Sequence, residues 1–490
     1  MADASTSSFK GRALAGLRFF AAGLPIALVD GAKLLVPALT TMRIGSEATD
    51  ATPLAAMSLG VLTFNVAGNM IMTAPLSAMD TIAPQAFGAG NVVGVGLTAQ
   101  RALITGVAFL LPTTPLWIFA SKVLVAFGQP PDVATLAQTN MLLLLPGLFP
   151  FAVFEVGRKY VYAQGIQWPP VPAACLGLAS HMLWQELISR AVGPSFVPFA
   201  PCLTFATMAL LLVLLIRYAL KPAARAAWPS GRFQQRLLWR DRKAWATFLK
   251  ASFAYLLSLT EWLFWEFVCF RVGALGVLPL AAYTVGYSLE PCFFMLAIGL
   301  STALSNAVGN ALGAEKLGEA RRVCLTGFSV GYLTVILYVG AAWLAQNGLI
   351  HLFTHDEAVA AAAVDMWRDW CVFMLVSGGF ALMLGLVKGL GLQKQLAVLV
   401  VLGLWPLGAP LVWVADSPSH VWRMLAITYT CLIVAMGVLA GCSDWRKLSK
   451  RAVENSRSSG DADTDGTTST GAARSGGLAA ADSAAVEIPY

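Results

Sequence analysis

Glu261 and Glu266 stand five residues apart in EWLFWE, inside a largely apolar stretch over 244–270. A carboxylate in such surroundings can hold a proton, bind a cation or hydrogen-bond a neighbouring helix. A regular helix turns two groups at this spacing about 140° from each other, so one narrow site cannot take both. Glu290 follows in YSLEPCFF, directly before Pro291, whose ring removes a backbone hydrogen bond and bares a carbonyl. It reads either as a second acidic site or as a hinge glutamate bonded to a neighbouring helix. Asp30 and Lys33, three apart, can pair on one helix face and cancel, while Asp30 alone could bind a cation. Asn65 is a polar residue in the charge-free run 53–79, suited to an interhelical hydrogen bond or to a cavity wall. Trp262, Trp265, Tyr283 and Tyr287 lie near the acids in sequence, and aromatic faces attract organic cations without demanding a fixed shape.

Other chemistry lacks its residues. The eight cysteines are scattered with no CxxC pair, and they read as small hydrophobes. His351 and His355 are four apart but form no HExxH arrangement, so no metal site is expected. No phosphate-binding loop, nucleophile elbow or kinase motif set is present, and no cofactor is expected. A membrane enzyme such as an acyltransferase would need a His/acid pair at membrane depth. His181 has only Glu186 near it in sequence.

The elements that must position these groups are membrane helices. The chain has 490 residues, 57% of them hydrophobic and only 12% charged, against about 25% charged in a soluble domain. Mean hydropathy is +0.69. Spans are expected at 19–42, 53–79, 102–120, 133–154, 160–188, 191–216, 244–270, 272–314, 323–350, 364–387, 395–415 and 424–443, at about 20 residues each or longer. The expected fold is therefore an all-α polytopic membrane protein of about twelve transmembrane helices. Residues 1–18 are polar and carry no cleavable-signal pattern.

Lys and Arg crowd the loops on one side, above all the linker with Arg217, Lys221, Arg225, Arg232, Arg236, Arg240, Arg242 and Lys243. Positive residues stay cytoplasmic, so both termini are expected there. The formal charge of +7 is then a topology signal and not a sign of nucleic-acid binding. The expected division is a cytoplasmic segment 1–18, a six-helix bundle 19–216, a basic linker 217–243, a second six-helix bundle 244–443 and a disordered cytoplasmic tail 444–490. The tail is rich in Ser, Thr, Gly, Ala and Asp, too polar to bury a core.

The two bundles repeat. SAMDTIAPQAFGAGN, from 77, aligns with TALSNAVGNALGAEK, from 302, and Gly165 of YAQGIQWPP falls near Gly391 of GLGLQK at almost the same offset. Six-helix units both enter from one side, which makes this a parallel repeat about an axis along the membrane normal. MDTIAPQAFGAGN, YAQGIQWPP, EWLFWE, VGNALGAEKLGEAR, VKGLGLQK and LFTHDEAV together resemble the multidrug and toxic compound extrusion (MATE) transporters, in their eukaryotic branch. The resemblance covers residues 20–440. It departs at Pro84 and Ala307, where the family usually has Gly and Arg, and near Ser377, where the tenth helix usually carries an acid.

The resemblance implies a secondary active exporter of small organic, cationic substrates, working by alternating access as a proton antiporter, with Na⁺ as the other possible coupling ion. The chain would act as a monomer in the lipid bilayer of the plasma membrane or a vacuolar or other endomembrane. The expected substrate and proton site comprises Glu261, Glu266 and Asn65, implied by the resemblance, with Glu290, Tyr287 and Asp30 added from their own chemistry; the family's acid near Glu290 falls two residues earlier, at Ser288, and Asp80 is implied as a structural residue of its motif. The rival readings are a lipid-linked oligosaccharide flippase of related architecture, which would want a cationic cavity, and a polytopic membrane enzyme.

Overall fold

The computed structural model describes residues 2–47, 52–226, 228, 236, 238–354 and 356–457. His355 and residues 458–490 of the expected tail lie outside this set. The helices are α1 (Ala2–Glu47), α2 (Thr52–Gly88), α3 (Val92–Ile118), α4 (Pro131–Ala163), α5 (Pro170–Ala191), α6 (Pro194–Ala219), α7 (Arg242–Gly273), α8 (Val277–Gly313), α9 (Leu317–Leu344), α10 (Glu357–Gly389), α11 (Gln393–Trp413), α12 (Pro418–Cys442) and α13 (Trp445–Arg457). Among the described residues, eleven are long and apolar enough to cross a membrane. The twelfth expected span is α5. Its 22 residues reach about 33 Å, and it packs between α1 and α6. Its polar content comes from His181, Gln185, Glu186 and Arg190.

Two expected boundaries move. The span expected at 160–188 is interrupted: α4 runs through Ala163, the chain turns at Gly165 with φ of 75°, and α5 starts at Pro170. Glu155, Arg158 and Lys159 suggested an earlier end to α4. Their charges are paired inside the fold, so the helix continues through them. The second change is α13, which is helical through Arg457 in a segment whose composition suggested disorder. Its Ser449 hydroxyl donates to the Leu312 carbonyl at 2.6 Å, and Asn91 Nδ2 donates to the Ser456 carbonyl at 2.6 Å. Docking on both bundles supplies the burial that the isolated segment lacks.

The repeat is visible in the backbone. Gly90 and Glu315, equivalent at an offset of 225, both have left-handed φ, 78° and 58°, and Gly165 and Gly391 share 75° and 79°. The bundles meet around the axis relating them. A Cβ on Gly88 would lie 2.0 Å from the Asn310 carbonyl oxygen, and one on its equivalent, Gly313, would lie 2.1 Å from the Gln85 carbonyl oxygen. Gln85 and Asn310 are themselves equivalent, so one contact is made twice in pseudo-twofold fashion. On the axis, Ser305 donates to the carbonyl of its own equivalent, Asp80, at 3.1 Å. Pro84 likewise abuts its own equivalent, Gly309, whose missing side chain leaves room for the ring. Thr81 Oγ1 and Gln85 Nε2 then donate to the carbonyls of Lys388 and Gly389 on α10 at 2.7 and 3.0 Å. These contacts seal the end of the molecule that carries the linker and α13, called the linker end below.

Apolar side chains such as Leu111, Leu210, Leu325, Leu337 and Leu344 project from the outer faces. That is the inverse of a soluble surface and suits contact with lipid.

Candidate functional site

In the second bundle, α7 carries both glutamates of EWLFWE, and they part as helix geometry requires. Glu261 turns inward, where the Tyr429 hydroxyl of α12 donates to its Oε1 at 2.8 Å. Glu266 is exposed. Glu290 on α8 is half-buried and lies within electrostatic reach of Glu261. Helix α8 stays continuous through Pro291.

Trp265, one turn beyond Glu261, is the hub of an aromatic cluster. Its ring centroid lies 6.1 Å from Tyr287, 5.7 Å from Phe373, 6.4 Å from Trp422 and 6.3 Å from Tyr429. Tyr283 stacks on Trp422 at 4.9 Å and on Tyr287 at 5.9 Å. Gly286 lets α8 approach α10 closely enough for Trp370 Nε1 to donate to its carbonyl at 3.0 Å. Trp262 does not join: it is 59% exposed on the outer face of α7. Three residues of the cluster, Phe373, Trp422 and Tyr429, were not singled out in the sequence, because nothing in their own helices marks them.

Ser377, near which the family resemblance leads one to expect an acid, is buried and bonded to the Met374 carbonyl at 3.2 Å. Its neighbour Gly378 faces Tyr338, whose hydroxyl would lie 2.9 Å from an added Cβ. Tyr338 stacks on Phe293 at 5.7 Å and lies within electrostatic reach of Glu290. Tyr338 thus stands between Gly378 and Glu290.

Asn65 and Asp30 belong to the other bundle, apart from these acids. Asn65 opens a π-helical turn, Asn65–Asn69, in α2. Asn69 Nδ2 donates to Asn65 Oδ1 and Thr73 to Asn69 Oδ1, each at 3.4 Å, giving a polar row at i, i+4 spacing. Such π-turns cluster at functional sites.

Asp30 is not a free cation ligand. Lys33 reaches Asp30 at 2.7 Å and Glu155 at 2.6 Å, while Arg158 reaches Glu155 at 2.7 Å and Asp30 at 3.2 Å. Two cations and two anions thus form a closed, buried quartet, and Lys159 pairs with Asp80 beside it. The self-neutralising Asp30–Lys33 pair is present, but enlarged by two residues the sequence reading passed over. The i, i+3 spacing of Glu155 and Arg158 was the available signal.

Among the described residues, His181 has no carboxylate partner. Its Nδ1 meets Thr204 Oγ1 at 2.7 Å, and its Nε2 meets Thr40 Oγ1 at 3.1 Å and Gln185 Nε2 at 2.8 Å. Glu186 is engaged elsewhere, by Arg43 and Arg190. Among the described residues, no group of three or more His, Cys, Asp or Glu is placed to hold a metal ion.

The MatE family model matches residues 25–184 and 254–414, one stretch in each bundle and together well over half the chain. The chain belongs to the MatE family. It is 25% identical over 408 residues to mouse multidrug and toxin extrusion protein 1, covering 81% of this chain and 70% of that one. It is 28% identical over 411 residues to rabbit multidrug and toxin extrusion protein 2, covering 81% and 66%. In three dimensions it is similar to the eukaryotic MATE transporter AtDTX14, with a TM-score of 0.80 at 18% identity over 90% of this chain and 99% of the other. The all-α fold with two bundles related as a parallel repeat is thus that of a MATE transporter, an integral membrane protein.

Within this MatE protein, the Pro84 and Ala307 departures are absorbed at the bundle seam. Pro84 sits against Gly309, and Ala307 is fully packed at 1% exposure.

Proposed function

We propose that this MatE-family protein is a secondary active exporter of small organic cations that exchanges them for protons. Its working site is the second bundle's pair of acids, Glu261 and Glu290, walled by Trp265, Tyr287 and Tyr429. The observation that carries this reading is an inward glutamate, Glu261, held by Tyr429 beside an aromatic cluster with a second carboxylate within electrostatic reach. A carboxylate can be neutralised by a proton or by a bound organic cation, and one charge cannot serve both at once. Proton and substrate then displace each other, and alternating exposure of the site couples their opposite movements. Glu290 takes the role of the absent acid of α10. Glu266 and Asp30 drop out of the working site, one exposed and one locked in the quartet.

The linker end is read as cytoplasmic from its positive charge. Sealed there, the molecule is in the arrangement that would release substrate outward. A flippase of the same architecture would want a free cationic cavity. Arg158 and Lys159, the buried cations of α4, are instead paired with carboxylates, and Arg101, whose Nε and Nη2 have no partner among the described residues, lines a cavity at the linker end that neither Glu261 nor Glu290 lines.

The test is reconstitution in vesicles with an imposed pH gradient, following a fluorescent organic cation. Flux driven by the gradient should be abolished in Glu261→Gln and Glu290→Gln and kept in Glu266→Gln. Undiminished flux in Glu261→Gln, or flux that answers only to a sodium gradient, would overturn the proposal.

A further inference from the structure

A cavity lies at the linker end between α2, α3 and α7 and beneath α13, and neither Glu261 nor Glu290 lines it. Its polar lining includes Gln85, Asn91, Thr98, Arg101, Thr247 and Ser456, and among the described residues no acidic one lines it. Arg101 is only 3% exposed, yet its Nε and Nη2 have no hydrogen-bond partner among the described residues. Its guanidinium rests 5.9 Å from the ring of Trp245. Asp241 lies within electrostatic reach; its Oδ1 caps α7 at Ala244 N, 2.9 Å away, and its Oδ2 is buried with no hydrogen-bond partner among the described residues. No ion pair joins it to Arg101 among the described residues. The Ser456 hydroxyl in the roof is also buried without a partner among the described residues. At the equivalent position of the other bundle, 225 residues on, stands Thr326, so the repeat itself does not call for a cation here.

A buried guanidinium with two open N–H groups is strongly disfavoured unless an anion completes it. The Nε/Nη2 edge is the fork that matches two oxygens of a phosphate. We propose that this cavity is a binding site for a phosphate-class oxyanion, free or as the headgroup of an anionic lipid. Arg101 supplies the fork, and Ser456 and Thr247 supply hydroxyls. Because its walls come from both bundles and its roof from α13, a bound oxyanion holds the linker end closed.

The full-length protein in neutral detergent, freed of phosphate, is titrated with inorganic phosphate against chloride at equal ionic strength, with Tm as the readout. The wild type should show a saturable rise with phosphate that chloride does not give, since a ligand of the folded state stabilises it. Arg101→Gln should weaken the apparent affinity at least about tenfold. If that variant folds poorly, Ala452→Phe keeps the guanidinium and fills the cavity from its roof, and should abolish the response. Nanodiscs separate the sources. A response to free phosphate in phosphatidylcholine identifies the free ion; a Tm already raised by phosphatidic acid, with no further response to phosphate, identifies the lipid. No saturable rise in either setting, or an equal rise in both variants, would overturn the proposal.

Discussion

Adding one methyl group at Gly88 tests whether the pseudo-twofold seam is the seal at the linker end. The new Cβ would fall 2.0 Å from the Asn310 carbonyl oxygen, 2.7 Å from its carbonyl carbon and 2.8 Å from its Cα, all of them backbone. Contacts under 3.0 Å do not occur for real Cβ atoms, so α2 and α8 must separate by about 1 Å at this point. No flexible side chain is available to give way. Overpacking of this kind costs about 1–3 kcal/mol. Charged only to the sealed state, that shifts the balance between open and sealed forms about 5- to 150-fold. The assay is maleimide labelling of Ser305→Cys, a position 1% exposed at the seam, with the eight native cysteines replaced by alanine. Gly88→Ala should speed labelling at least about fivefold. Gly340→Ala, where a Cβ meets nothing within 4 Å, should leave the rate unchanged. Equal rates in the two variants would refute the reasoning, because the seam would then have room the geometry denies it.

The other predictions follow from single contacts. Tyr429→Phe removes the donor to Glu261 and leaves the ring in place, so substrate affinity in flux assays should fall about 10- to 150-fold while pH-gradient drive survives, at about 1.5–3 kcal/mol for a hydrogen bond to a charged group. Lys33→Met strips one cation from the buried quartet. It should lower Tm in detergent by the equivalent of about 3–5 kcal/mol, with partial recovery when Asp30→Asn is added. In the α11–α12 turn, outside the spans, the hydrogen bond from His420 holds Asp416 below its ordinary value. A depressed carboxylate favours the folded form above its unfolded pKa and loses that contribution as pH falls through its folded pKa. An NMR titration should therefore place the Asp416 midpoint below the usual carboxylate range, rising on His420→Ala, and an unshifted midpoint in both forms would count against the pair.

Composition made the membrane class legible, because apolar runs long enough to cross a bilayer can be satisfied only by helices or closed barrels. The repeat was legible too, since GAGN and GAEK turn by the same backbone conformation whatever surrounds them. Glu261 and Glu290 could be picked out as candidates because an acid in an apolar run stands out by itself. Boundaries were less legible. Glu155, Arg158 and Lys159 look like the end of a span until their partners Lys33, Asp30 and Asp80 arrive from α1 and α2. The helical start of the tail was hidden for a similar reason, as Ser449 and Ser456 find their partners only on the finished bundles.

What the sequence determined by itself, then, is whatever depends on local transfer energy and local backbone geometry: apolar helices, their parallel repeat, and the rare acids within them. What tertiary structure alone decided is which polar groups meet. Glu261 received Tyr429 from 168 residues away, Asp30 was absorbed into a neutral quartet, Trp262 was turned outward, and Arg101 was left with an open fork. A charged group in an apolar setting has its role set by the partner across the helix interface, and no periodicity in its own segment encodes that partner.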